Sequence, residues 1–76
     1  MTTKLELIYK HKYRKIWKLD DNHELIWSHG AFLDGKAWHI EKWDDDDMFE
    51  KTWGFTTKRD AMKFWQHLMW QRMQQQ

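Results

Sequence analysis

From Leu5 to Leu19 apolar and polar residues alternate. Leu5, Leu7, Tyr9, Tyr13, Trp17 and Leu19 fall on odd positions, while Glu6, Lys10, Lys12, Arg14 and Lys18 fall on even ones, interrupted by Ile8 and Ile16. A period of two is that of a half-buried strand with one apolar and one polar face. The run exceeds the usual strand length, so a break or tight turn is expected near Lys10–Lys12. Asp20-Asp21-Asn22-His23 reads as a turn, because Asp and Asn accept local hydrogen bonds and tolerate left-handed backbone. Residues 24–29 return as a strand with Leu25 and Trp27 on one side, and Gly30 permits a bend.

Asp34-Gly35 is the strongest short hairpin signal, since a type I′ turn needs positive φ at both central positions. Residues 36–43 follow as a strand. Trp38 and Ile40 lie on one face and His39, Glu41 and Trp43 on the other; each face carries an aromatic, so the inward side stays open. Asp44–Asp47 makes a solvated loop, and Phe49, Lys51, Trp53 and Phe55 alternate on a last strand. Thr57 to Asp60 resembles a capping box at a helix start. No breaker follows before Met73. Projected at the helical period, Ala61, Met62, Phe64, Trp65, Leu68, Met69 and Met73 span roughly 180°, where about 100° suffices for a surface helix; Trp70 lies outside even that arc. The expected fold is α+β: one domain over residues 1–76, an antiparallel meander of three to five strands within about 4–55, a C-terminal helix at 58–73 and a polar tail at 74–76.

Composition changes this picture in one respect. The chain has 76 residues with seven Trp, four Phe and two Tyr, and neither Cys nor Pro. Disulfides and Cys-ligated zinc are excluded as staples for so small a domain. The aromatics must supply much of the burial, at about 150–250 Å² each, and they exceed what one core of this size holds. No apolar run approaches the roughly 20 residues of a membrane span, and no signal-peptide core is present. A cytoplasmic, intracellular protein without membrane attachment is the expectation.

The formal charge of +1 conceals a division. Six basic and one acidic residue fall in residues 1–19, two basic and ten acidic in 20–50, and five basic and one acidic in 51–76, which gives +5, −8 and +4. Blocks of this size create local fields that act on partners whatever the total.

Candidate chemistry is sparse. His39-x-Glu41 has the spacing found in zinc deaminases, but their metal also needs a downstream Cys pair, so no metal is assigned. Asp44–Asp47 with Glu50 lacks the ligand alternation and central Gly of an EF-hand. It reads as a solvated loop, with adventitious divalent-cation binding or docking against a basic surface as the alternatives. Ser28 and His29 are neighbours in a strand and point to opposite faces. No catalytic residue, enzyme activity or cofactor is expected.

Two surfaces suit binding. Lys10, Lys12, Arg14 and Lys18, beside Tyr13, offer cations for phosphates and a ring for bases, unless they serve only to offset the acidic middle block across the sheet. Met62, Met69, Trp70 and Met73 on the helix, with Trp43, offer the adaptable and aromatic side chains that concentrate binding energy.

Gly54-Phe55-Thr56-Thr57-Lys58-Arg59-Asp60-Ala61, after a Trp-containing hairpin, is similar to the arm-binding domains of tyrosine integrases. That resemblance implies a three-stranded sheet with a C-terminal helix, binding DNA through the sheet. Ile16-Trp17, Trp27-Ser28-His29-Gly30 and the stretch from Phe55 to Ala61 resemble WGR domains, also DNA-associated, with Ser28 and His29 standing where that family has Gly and Arg. The favoured expectation is a non-catalytic protein-binding module, or a homodimer. An inhibitor or adaptor of the kind carried by phages and mobile elements would suit such a chain. The alternative is a nucleic-acid binder using the basic first strands.

Overall fold

The alternation at the start of the chain resolves into a hairpin. A computed structural model describes residues 5–30 and 34–74. Its elements are β1 (Glu6–His11), β2 (Arg14–Lys18), β3 (His23–Ser28), β4 (Trp38–Trp43), β5 (Phe49–Phe55) and α1 (Lys58–Gln74). The strands form one antiparallel sheet in sequence order, the meander with a C-terminal helix expected from the pattern. The break in the first run falls at Lys12 and Tyr13, which join β1 to β2. The sheet has five strands, against three in the arm-binding domains that the Gly54–Ala61 stretch resembles.

Register fixes the two faces. Leu7, Trp17, Leu25, Ile40 and Trp53 lie side by side across the sheet, as do Lys15, Trp27, Trp38 and Phe55. This face receives the helix, where Ala61 and Trp65 are buried. Leu25 and Ile40 are fully enclosed with them, and Trp17, Trp38, Trp53, Phe55, Phe64 and Leu68 pack around that centre. Trp38 is thus the inward aromatic of β4, and Trp43 lies on the other face. Helix α1 begins as expected: the Thr57 hydroxyl accepts the Asp60 N–H at 3.1 Å, satisfying one of the orphan donors of the first turn.

The two edge strands each carry one residue more than their neighbours. Leu7 pairs with Trp17 but Tyr9 with Ile16, which leaves Ile8 as a bulge in β1. Lys42 pairs with Lys51 but Trp43 with Phe49, which leaves Glu50 as a bulge in β5. An edge bulge interrupts the ladder and hinders pairing with another strand. In β1 it has a second effect, because Leu7 faces the helix side while Tyr9 faces away. The even-numbered basic stripe is divided with it. Lys10 lies beside Lys15 on the helix side, whereas Arg14 and Lys18 pair with Ser28 and Glu24 on the opposite face, and Lys12 sits in the turn. The single basic face expected from period two is therefore corrected to three locations.

The Asp34-Gly35 hairpin is corrected too. β3 ends at Ser28 and β4 starts at Trp38, and positive φ occurs at Gly30 and Gly35 but not at Asp34. Asp34 instead accepts the Lys36 N–H at 3.0 Å and reaches the His39 ring at 2.7 Å. It lies over the helix-free face, where Ile26 and His39 are buried. Gly54 makes this approach feasible: a Cβ there would stand 2.6 Å from the Asp34 carboxylate and 2.9 Å from the Lys36 side chain. Gly54→Ala is accordingly expected to cost roughly 1–3 kcal/mol by overpacking, read from denaturant midpoints at unchanged slope. A substitution that is neutral and also leaves the NMR shifts of the His39 ring unchanged would mean that Asp34 does not rest there.

Candidate functional site

The turn after β2 ties three elements together. Asp20 is half-buried, and its Oδ1 accepts the Asn22 N–H at 2.8 Å and a hydrogen bond from His23 Nδ1 at 2.8 Å. Its Oδ2 accepts from Arg72 Nη1 at 2.9 Å, so the last turn of α1 is anchored to the turn between β2 and β3. Burial pushes the Asp20 carboxyl up, but the hydrogen bonds from His23, Asn22 and Arg72 outweigh that and hold it below the ordinary carboxylate value. An ionised carboxylate only accepts, so the His23 proton sits on Nδ1 and Nε2 is left to other partners. The His23 ring is buried and lies 4.9 Å from the Trp65 ring.

Around His23 opens a groove of about 540 Å³ between the C-terminal half of α1 and one end of the sheet. His23, Lys42 and Lys51 stand in one row across β3, β4 and β5, next to the Leu25–Ile40–Trp53 row. Arg72 and Gln71 face them from the helix, and Trp53, Trp65 and Leu68 form the apolar floor. Glu50 at the bulge is 3.5 Å from Lys42. Of these groups, Glu50 belongs to the acidic run weighed in the sequence, and Lys42, Lys51 and Arg72 carry no sequence-derived binding role. His23, Lys42 and Lys51 each stand two residues from Leu25, Ile40 or Trp53 of the core face, a signal that acquires meaning only once the strands are in register.

The sequence-derived surfaces are arranged differently from the expectation. Met62 is half-buried against the core, while Met69, Trp70 and Met73 are exposed at 37%, 57% and 70%. Trp43, on the far face of the sheet, makes an edge-to-face contact with Phe49 at 5.7 Å and buries an indole N–H that lacks a partner among the described residues. The helix residues and Trp43 therefore do not share one surface. Tyr13 stacks on His29 at 5.7 Å, with Lys12 Nζ 5.3 Å from its ring. Lysines also cover Trp27, Trp53 and Trp17, from Lys15, Lys51 and Lys58. These cation–π contacts each contribute about 0.5–1 kcal/mol when exposed. They occupy several of the rings that a nucleic acid would stack upon.

The acidic middle block is partly offset within the fold. Lys18 lies opposite Glu24 across strands and 3.4 Å from Asp21. Glu24 also faces Glu41. Burial pushes the Glu41 carboxyl up, with Arg14 opposing the shift and Glu24 adding to it. The Asp44 carboxylate is bound by the Asp46 and Met48 N–H groups at 2.9 Å, so that part of the run shapes its own loop. Among the described residues no His, Asp and Glu group is arranged to hold a metal ion. No described helix is long and apolar enough to cross a membrane.

No family model matches the chain, and no curated protein or solved structure matches it either.

The Asp20 network yields a pH test. Its folded pKa lies below the unfolded one, so its stabilisation is fully present above the unfolded value near 3.8 and is lost as pH falls through the folded value. Asp20→Asn should lower stability at pH 7 by about 1–2 kcal/mol, at the low end for charged hydrogen bonds because Asp20 reaches solvent. The gap from wild type should close in strong acid. An equal gap at pH 7 and at about pH 2 would contradict the linkage.

Proposed function

We propose that the chain is a non-catalytic binding module for a protein partner, engaged through exposed apolar side chains rather than through a sheet edge. One observation carries this reading. Among the described residues, the buried apolar side chains are Leu25, Ile26, Ile40, Ala61 and Trp65, and a larger set of large apolar side chains is exposed, from Leu7, Ile8 and Tyr9 in β1 to Met69, Trp70 and Met73 in α1. Scattered apolar exposure is ordinary, whereas large apolar side chains gathered on one face, as Met69, Trp70 and Met73 are at the end of α1, are the feature of interaction surfaces. The bulges at Ile8 and Glu50 disfavour strand addition at either edge, which directs binding to side-chain surfaces. The end of α1 is the favoured one: Trp70 is held against the His67 ring at 6.3 Å, and Met69 and Met73 flank it. A rigid aromatic beside adaptable thioethers has the composition of a binding hot spot.

Nucleic-acid binding is the second reading. It is supported by the β1–β2 hairpin end, where Lys12 lies over the Tyr13 ring and Lys10, Arg14 and Lys15 stand in the adjoining strand positions. It is weakened by the stacking already made by that ring.

Affinity capture from the native host, with and without nuclease, separates the two. The protein reading expects a stoichiometric partner retained after nuclease, with affinity reduced at least roughly 30-fold by Trp70→Ala and similarly by Met69→Lys. Loss of the partner on nuclease treatment, together with oligonucleotide binding that weakens steeply with salt, would replace it by the second reading. A partner held equally by both variants would remove the helix end from the interface.

A further inference from the structure

The groove beside His23 has a feature the core does not require. Lys42 and Lys51 are direct cross-strand partners, and His23 is the partner of Lys42 on its other side. Like charges directly opposite one another on a sheet destabilise it, and Arg72 brings a further cation to the same groove from the helix. Glu50 offsets one of them across 3.5 Å, and Asp20 is shared between Arg72 and His23. The remaining positive field converges on a space of about 540 Å³, within the usual range for small-ligand sites. The His23 side chain is only 8% exposed, and its ring is fixed by Asp20 through Nδ1. Its Nε2 can accept from a ligand hydroxyl or, when protonated, donate to an oxyanion. Beneath this collar lie Trp53, Trp65 and Leu68, which suit an apolar body and not a second charge.

We propose that this groove is a binding site for a small amphipathic anion: an oxyanion head, phosphate or carboxylate, held by Lys42, Lys51 and Arg72 beside His23, on an apolar body seated against Trp53 and Leu68. The site adjoins the protein-binding surface at the end of α1, Arg72 Nη1 lying 4.0 Å from Met69 Sδ, but does not depend on that reading. Lysines and a guanidinium supply charged donors, whose hydrogen bonds to oxyanions are about twice as strong as neutral ones. The Lys42–Glu50 pair is the internal competitor that a ligand head displaces. It predicts an unusual gain: removing the Glu50 charge should tighten binding.

The test is a titration of the full chain with phenyl phosphate at low ionic strength, followed by NMR signals of the Trp53 indole and the His23 ring. Saturable shifts at both are expected with Kd below about 1 mM. Binding should weaken at least roughly tenfold in Lys42→Ala/Lys51→Ala and tighten about threefold in Glu50→Gln. Inorganic phosphate and benzyl alcohol, each carrying half of the ligand's chemistry, should both bind at least roughly tenfold more weakly than phenyl phosphate. Benzoate in its place separates carboxylate from phosphate heads, and either one saturating supports the site. No saturation by either probe up to about 10 mM, or shifts centred away from the groove, would overturn the proposal. Equal affinity in the lysine variant or for benzyl alcohol would overturn the anion assignment, and equal affinity for inorganic phosphate would overturn the apolar body. If the double variant does not fold, Lys51→Ala alone, at an exposed position, must weaken binding for the proposal to stand.

Discussion

A single helix has to cover a five-stranded sheet, and it is too narrow to do so. Strands spaced about 4.8 Å apart make a sheet roughly 20 Å across between its outer axes, whereas a helix with its side chains is about 10–12 Å wide. Helix α1 lies over β4 and β5. The enclosed centre is accordingly small: Leu25, Ile40, Ala61 and Trp65. Towards β1 the sheet runs out from under the helix, and every residue of that strand is exposed.

Several features of the sequence follow from this shortfall. Trp17 and Trp38 stack at 5.8 Å at the margin of the enclosed centre, and Lys58 covers Trp17 from the first helical turn. Large rings with lysine stems over them protect the sheet where no helix reaches, since such stems bury hydrocarbon while keeping their charge in water. On the opposite face the approach of Asp34 and Lys36 over Gly54 does a similar job around His39. Cover is incomplete at the two ends of the molecule, the β1 edge and the last turns of α1. The same incompleteness leaves a groove at the His23 end, where the helix, anchored by Arg72 to Asp20, stands over the polar row of His23, Lys42 and Lys51 instead of a row of hydrophobes.

Much of the fold was legible because local chemistry decided it. The Thr57 cap, the unbroken helix after it, the turn at Asp20–Asn22 and the alternation of Leu25 with Trp27 or Trp53 with Phe55 needed no tertiary information. Ile8 shows where that ends. Leu5, Leu7 and Tyr9 look like one face of a strand, yet a bulge inserts one residue against β2 and sends Tyr9 to the other side; nothing in Glu-Leu-Ile-Tyr-Lys marks it. Asp34-Gly35 misled because the Asp34 carboxylate is divided between the His39 ring and the Lys36 N–H, and Asp34 lacks the positive φ that a type I′ hairpin needs. Trp38 and Trp43 could not be told apart, since β4 has an aromatic on each face. The groove was illegible for a related reason: His23, Lys42, Lys51 and Arg72 are far apart in sequence, and only strand register and the Asp20 anchor bring them together.

If one narrow helix sets the distribution of stability, protection should fall from the covered strands to the uncovered edge. Native-state hydrogen exchange on the isolated chain measures this residue by residue. The amides of Leu25, Ile40 and Trp65 are expected to exchange only through global unfolding, and the β2-bonded amides of β1 through local opening at least roughly 100-fold more often. Equal protection of β1 and β4 would contradict the account, because it would mean that the uncovered half of the sheet is held as firmly as the half beneath the helix.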